Sequence, residues 1–254
     1  MIKTDRKNVE FIKDKKYRKQ LWGPVGKAMH EYRMINENDV IAVGLSGGKD
    51  SITLLNSLIR IKHVSNLKFQ IVPIHIQNHM RESACDEIKS YCNQLGLELY
   101  IEKTNINEII FGNNDKTSVR NPCFLCGRMR RGILYRIMKE RKINKLALGH
   151  HKDDIIETYL MNVFYQGNMN IMKPMYISQE YQIKIIRPLS YVEEKDIKNY
   201  INEYNLPILK SECPYETNKN SARKKIKDLI SQLSLEKKDI RSTIFNSIKN
   251  FKEI

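Results

Sequence analysis

One short stretch restricts the fold more than any other part of the chain. Val40-Ile41-Ala42-Val43-Gly44-Leu45 is an apolar run rich in β-branched residues, the pattern of a buried strand. Ile52-Thr53-Leu54-Leu55-Asn56-Ser57-Leu58-Ile59 has the spacing of a helix with one buried face. Between them stands Ser46-Gly47-Gly48-Lys49-Asp50-Ser51. A glycine loop that joins a strand to a helix N-terminus offers free backbone N–H groups and the positive end of the helix dipole to an anion. Adjacent glycines let the backbone approach phosphate without a Cβ clash. Lys49 adds a point charge, and Ser46 and Ser51 add hydroxyl donors. The candidate nucleotide cradle is therefore Gly44, Ser46, Gly47, Gly48, Lys49, Asp50 and Ser51, with Lys49 and Asp50 also candidates for catalysis. It is not a Walker A loop. Gly44-Leu45-Ser46-Gly47-Gly48-Lys49 is one residue short of G-x-x-x-x-G-K, and Asp50 stands where Ser or Thr is required.

Around this unit, strand and helix patterns alternate. Strands are predicted at Val40–Leu45, Phe69–Ile76, Glu98–Lys103, Lys145–Gly149 and Ile183–Pro188. Helices are predicted at Ser51–Ile61, Glu82–Leu95, Gly127–Arg141, Asp153–Tyr165 and Glu193–Tyr204. Such alternation predicts an α/β fold, a doubly wound, mostly parallel five-stranded sheet covered on both faces. Ligands of such sheets sit beyond the strand C-termini at the topological switch point. Three segments follow: a basic N-terminal helical arm over 1–35, the α/β domain over 36–215 and a C-terminal helical extension over 216–254. The arm has Phe11, Tyr17, Leu21 and Trp22 as apolar points. It is predicted to break at Gly23-Pro24, with a second short helix to about Met34. Residues 105–122 read as a loop, about Lys219–Leu233 as a helix, and 234–254 as a further one.

Charge narrows the partner. Lys and Arg number 44 against 29 Asp and Glu, a net +15 in 254 residues. A surplus of this size favours a polyanion such as nucleic acid. A lysine-rich compositional bias gives the same total, but clustering favours a surface, because the basic residues concentrate in 1–35, 120–145 and 219–228. Arg128, Arg130, Arg131, Arg223, Lys224 and Lys225 are the candidate contacts. No apolar run reaches the roughly 18 residues of a membrane span, and the start lacks the apolar segment of a secretory signal. A cytoplasmic protein without membrane attachment is expected.

Five cysteines at irregular spacing argue against a disulfide framework. Cys85 and Cys92 fall with Ala84, Ile88, Tyr91 and Leu95 on one helical stripe and are expected in the core. Pro122-Cys123-Phe124-Leu125-Cys126 is different, a C-x-x-C expected just before a helix. Two thiols so spaced chelate a metal or act as a redox pair, and the helix start and following arginines favour thiolate. Cys213, in Ser211-Glu212-Cys213-Pro214-Tyr215, is the remaining cysteine. Finally, Leu148-Gly149-His150-His151-Lys152-Asp153-Asp154 ends one strand and starts a helix on the same sheet edge as the Ser46 loop. Asp154 reads equally as the helix cap, with Glu157 completing a capping box, and as a functional group of the site. Asp153 is expected as a magnesium ligand or base near the nucleotide, and His150 and His151 as groups that touch phosphate or hold the aspartates.

The loop Ser46–Ser51 matches S-G-G-x-D-S and resembles that of the PP-loop pyrophosphatases. Cys123-x-x-Cys126-x-x-x-Arg130-Arg131-Gly132-Ile133-Leu134-Tyr135, Gly149-His150-His151-x-Asp153-Asp154 and Ile186-Arg187-Pro188-Leu189 follow in order. Together, over roughly residues 20–215, these motifs resemble the tRNA 2-thiocytidine synthetases, the TtcA family. The resemblance implies ATP cleavage between the α and β phosphates with Mg²⁺, adenylation of a tRNA base carbonyl, expected at C2 of an anticodon-loop cytidine, and its replacement by sulfur. It implies a [4Fe–4S] cluster on Cys123, Cys126 and Cys213 with one iron open. A sulfur donor such as a cysteine desulfurase or free sulfide is an expected partner, and a homodimer is one oligomeric state open to the chain. From their place on the sheet edge, Asp153 is also a catalytic candidate, and His150 and Asp154 are nucleotide-binding candidates. The family has a second C-x-x-C around its third ligand, whereas Cys213-Pro214-Tyr215-Glu216 has one cysteine. Three rivals remain: thiolation of a uridine-type base, a lysidine-synthetase-like ligase, and a non-catalytic iron–sulfur sensor that binds nucleic acid.

Overall fold

Parallel pairing organises the molecule. The computed structural model describes residues 12, 14–78, 82–111, 122–209 and 221–250. Its strands are β1 (Val40–Gly44), β2 (Gln70–Asn78), β3 (Tyr100–Thr104), β4 (Lys145–Ala147), β5 (Met175–Ser178) and β6 (Ile183–Ile186). Its α-helices are α1 (Gly23–Glu31), α2 (Lys49–Val64), α3 (Glu82–Gln94), α4 (Ile106–Phe111), α5 (Pro122–Glu140), α6 (Lys152–Met161), α7 (Glu194–Glu203), α8 (Ala222–Glu236) and α9 (Ile240–Asn250). The sheet order is β3-β2-β1-β4-β6-β5. From β1 the chain moves outward through β2 and β3, then returns to place β4 on β1's other side, in register Ile41↔Lys145 to Val43↔Ala147. The order therefore reverses between β1 and β4, and the loops after these two strands face one crevice.

The expected doubly wound sheet is present, with one strand more than the sequence pattern indicates. β5 is short, half-exposed and without alternation, so it carries no period to detect. It exists by pairing antiparallel to β6, from Met175↔Ile186 to Ser178↔Ile183.

Alternating residues of β1 feed opposite faces. Ile41 and Val43 join a cluster with Leu54, Leu55 and Leu58 of α2, Ile88 of α3 and Ile197 and Tyr200 of α7. Ala42 joins Ile74, Leu134, Ile137 and Met138 under α5. Each fully buried Leu or Ile stabilises the fold by about 1.5–3 kcal/mol. Cys85 and Cys92 are buried as expected, and burial pushes the Cys92 thiol up to about 12. A third cluster places Ile226 and Ile230 of α8 and Phe245 and Ile248 of α9 on Ile155 and Ile156 of α6.

Some element bounds differ from the sequence pattern. Gly23-Pro24 does not break the N-terminal helical run. A π-helical turn at Arg18–Trp22 leads into α1, where Pro24 occupies the first turn that tolerates it. The Gly23 N–H bonds to Arg18 O, and a Cβ on Gly23 would lie 2.8 Å from that oxygen. Tyr17 and Trp22 pack edge-on against Tyr200 of α7, each at 5.3 Å between ring centroids. α5 begins at Pro122 rather than Gly127, so the C-x-x-C lies inside the first turns of the helix. Within 105–122, Ile106–Phe111 is helical rather than loop. No described helix is long and apolar enough to cross a membrane.

Candidate active site

The Ser46 loop is shaped by contacts from distant segments. Gly47 has φ +82°, and a Cβ there would lie 2.7 Å from side-chain atoms of Ile88 and Leu209. Its carbonyl accepts the Leu209 N–H at 3.0 Å. His75 Nδ1 lies 2.7 Å from Leu45 O and fixes the end of β1. Ser46 Oγ donates to Ser51 Oγ at 3.2 Å, and Ser51 Oγ donates to Gly48 O at 2.9 Å. Gly48 caps α2 without a side chain, and the Ser51 N–H turns back to Gly48 O at 3.1 Å, so the Lys49 and Asp50 N–H groups head the helix as an anion site.

Lys49 Nζ stands 2.9 Å from Asp50 Oδ2 and 3.2 Å from Glu194 Oε1. Burial opposes its charge, but the two carboxylates outweigh burial and raise its pKa. Asp50 Oδ1 is buried without a hydrogen-bond partner and lies 3.7 Å from His151 Nε2. A buried carboxylate oxygen without a donor suits a hard cation such as Mg²⁺.

The β4–α6 loop closes on this cradle. A Cβ on Gly149 would lie 3.0 Å from Asp50 C and O and 3.2 Å from Ser51 N. The predicted cap is displaced: His151, not Asp154, caps α6. Its ring accepts the Asp154 N–H, and the Asp154 carboxylate accepts the His151 N–H at 3.0 Å. Asp154 is thus the third member of the box, the place expected for Glu157. Asp153, expected at the metal, is otherwise engaged. Its Oδ2 accepts the Glu194 N–H at 2.7 Å, which caps α7, and its Oδ1 pairs with Arg241 Nε at 3.2 Å. His150 Nδ1 accepts from Arg187 Nε at 3.3 Å. Burial, then the Arg187 cation, pushes His150 down to about 4, so it is neutral near pH 7.

Of the expected nucleic-acid contacts, Arg128, Arg131, Lys224 and Lys225 are exposed and Arg130 is half-buried. Arg223 instead reaches Asp154 Oδ1 at 3.1 Å and Glu157 Oε2 at 3.8 Å, tying α8 to α6. Lys145, inside the basic 120–145 stretch, is buried against Asp39 at 2.5 Å and adds nothing to the surface.

Cys123 is exposed, and Cys126 is half-buried one turn later. No described cysteine is in a disulfide. Leu134 of α5 is already level with Gly44. At about 1.5 Å per residue, Cys126 therefore projects about 12 Å further along the helix. α5 returns its C-terminus to the start of β4, so this projection lies on the side of the crevice. Cys213 lies outside the described residues, and among those described no three metal-ligating side chains form a group. Two thiols at i and i+3 suit soft metal chemistry and need a further ligand.

Glu194 was not legible from sequence. An acidic residue in a first helical turn reads as an ordinary complement to the helix dipole. In the fold its carboxylate meets Lys49, Lys198 and Lys227.

A family model described as a PP-loop domain matches residues 19–231. A tRNA-cytidine(32) 2-sulfurtransferase of Pelobacter propionicus is 36% identical over 89% of this chain and 83% of its own length. The protein of that name from Coxiella burnetii is 36% identical over 95% of this chain and 93% of its own. The solved U34-tRNA thiolase NcsA from Methanococcus maripaludis, with its [4Fe–4S] cluster, superimposes with TM-score 0.73 at 25% identity, covering 93% of this chain and 80% of that one.

Proposed function

The chain belongs to the PP-loop family and, within it, to the tRNA-cytidine(32) 2-sulfurtransferases, and on that premise we propose how its own residues divide the work. It is an ATP-using tRNA sulfurtransferase. ATP lies on Gly44–Ser51, with the phosphates against the first-turn N–H groups of α2 and Lys49. Asp50, whose Oδ1 is buried without a hydrogen-bond partner, would hold Mg²⁺. The base carbonyl oxygen attacks the α phosphorus, the bond to the β-bridging oxygen breaks, and pyrophosphate leaves. Lys49 and the loop N–H groups stabilise charge on the transferring phosphoryl group. A sulfur nucleophile then adds at the base carbon, the bond from that carbon to the AMP oxygen breaks, and AMP leaves. Cys123, Cys126 and Cys213 would hold a [4Fe–4S] cluster, which when bound would supply a binding site for the incoming sulfur. Arg128, Arg130, Arg131, Lys224 and Lys225 hold tRNA phosphates, and the target base leaves its stack to enter the crevice. Sulfur comes from a cysteine desulfurase or free sulfide, in the cytoplasm where the tRNA is.

The observation that supports this reading is the meeting of three features on one sheet edge: the open cradle, the β4–α6 loop packed on Asp50, and the overhanging C-x-x-C. The same edge disfavours two of the rivals, since a ligase needs no thiol pair and a sensor needs no cradle; against the third, a uridine-type base, stand the cytidine-32 relatives. Protein purified without oxygen, given ATP, Mg²⁺, sulfide and cytidine-32 tRNA, is expected to release AMP and pyrophosphate and thiolate that base. It should carry about four irons per chain. Cys123→Ala or Cys126→Ala is expected to lose iron and thiolation together, while Cys85→Ala keeps both. ADP as the main product, or zinc in place of iron, would overturn the reading.

A further inference from the structure

We propose that Lys227, on α8, is a second phosphate-binding lysine of the nucleotide site, and that Glu194 holds Lys227 and Lys49 until the triphosphate displaces it. The inference rests on the nucleotide reading of the Ser46 loop. Its basis is a convergence. Glu194 Oε1 meets Lys49 Nζ at 3.2 Å, and Oε2 meets Lys227 Nζ at 2.7 Å. One carboxylate therefore bridges the cradle lysine and a lysine from an element remote in sequence. Lys198 also reaches Oε1 at 3.2 Å, but as the i+4 residue of the same helix, an ordinary surface pair. Three lysines thus surround Glu194; Asp50 also pairs with Lys49, and Glu157 also faces Lys227. Lys49 lies at a helix N-terminus that has no side-chain cap, and a phosphate chain complements such an end together with lysine ammonium groups.

The lysines are placed to change partner. Glu194 is 14% exposed, whereas Lys49 is 25% and Lys227 42% exposed, so a ligand in the crevice reaches the cations from solvent. α8 itself is fixed. Ile226 and Ile230 pack on α6, and Ser221 caps the helix by accepting the Lys224 N–H at 3.2 Å. Lys227 is thereby separated in role from Lys224 and Lys225 on the same helix, which lie exposed. The phosphate oxygens replace the Glu194 oxygens as acceptors, and Glu194 competes with the nucleotide for two cations.

The competition fixes the sign of two opposite variants. The assay is equilibrium binding of α,β-methylene ATP with Mg²⁺ and no tRNA, with a melting curve and tRNA filter binding for each variant. Lys227→Met is expected to bind the nucleotide about tenfold more weakly, the loss of one charge-assisted contact, and Lys227→Arg to restore it to within about threefold. Glu194→Gln is expected to bind several-fold more tightly. Lys198→Met is expected to stay within about twofold. Unchanged nucleotide binding by Lys227→Met with weakened tRNA binding would assign Lys227 to the RNA surface. A loss that tracks melting temperature and is not restored by Arg would make it a brace. Weaker binding by Glu194→Gln would remove the competition. Absence of nucleotide binding by the unaltered protein would instead fail the nucleotide reading itself.

Discussion

Replacing Gly149 with Ala tests whether the two crevice loops set the site geometry. The added Cβ would lie 3.0 Å from Asp50 C and O and 3.2 Å from Ser51 N. All three are backbone atoms at the start of α2, held by β1 and by the Leu209 bond to Gly47. Ordinary contact begins near 3.4 Å, so the loops must part by about 0.4 Å. Overpacking of this kind costs about 1–3 kcal/mol. For a chain of this length each kcal/mol lowers the melting temperature by about 2–4 °C, so a fall of about 2–12 °C is expected. The same displacement moves Asp50 and the first-turn N–H groups. Misplacement by about 1 Å costs about 100-fold in rate, so 0.4 Å is expected to cost about tenfold. The assay is AMP release with saturating tRNA, well below either melting temperature. Gly132→Ala serves as the control, because nothing lies within 4 Å of a Cβ there. In mid-helix it is expected to stabilise by up to about 1 kcal/mol and leave AMP release unchanged. If Gly149→Ala melts and turns over like the unaltered protein, the loops have slack and their contact does not set the cradle.

Asp153→Ala is expected to lower stability by about 1–2 kcal/mol in thermal melts, because α7 loses its cap and Arg241 its partner; loss of turnover with an unchanged melt would return Asp153 to the chemistry. His150 has a pKa lowered from 6.5 to about 4, so the unfolded chain binds its proton first and stability falls as pH drops from 6.5 through 4. His150→Gln is expected to flatten that part of a stability–pH curve, and an unchanged slope would exclude His150 as its source. Affinity for tRNA is expected to fall steeply between low and physiological salt, and Lys224→Glu with Lys225→Glu to weaken it about equally for unrelated tRNAs; salt-insensitive binding would make the +15 charge compositional.

What could be read in the sequence is what repeats or is local. The apolar run at Val40, the stripe through Cys85 and Cys92 and the S-G-G-K-D-S loop each declare themselves within a few residues, so the α/β sheet and the cradle follow from them. The rest depends on what meets across the fold. β5 is a strand because β6 lies beside it. His151 takes the cap because Asp154 is positioned to answer it, although a histidine is not a favoured cap by residue type. Asp153 looked available for chemistry because nothing in its neighbourhood shows that α7 and Arg241 come to its two oxygens. Arg223 belongs to a basic run by composition and to α6 by contact. Glu194 has no sequence mark at all, since its meaning comes from lysines on two other helices.

The hydrogen bond from Leu209 to Gly47 sets a condition on biosynthesis. The cradle is encoded early, yet its backbone is completed by Gly149 and then by Leu209, both far along the chain. Contacts of such sequence separation form late, after the intervening segments have been ordered. At roughly 5–20 residues per second, about 10–30 s pass on the ribosome between emergence of Ser46 and of Leu209. Throughout that interval the nascent chain carries the motif without the shape, so a polypeptide cut short before Leu209 is expected to retain β1 and α2 and to lack a finished nucleotide site.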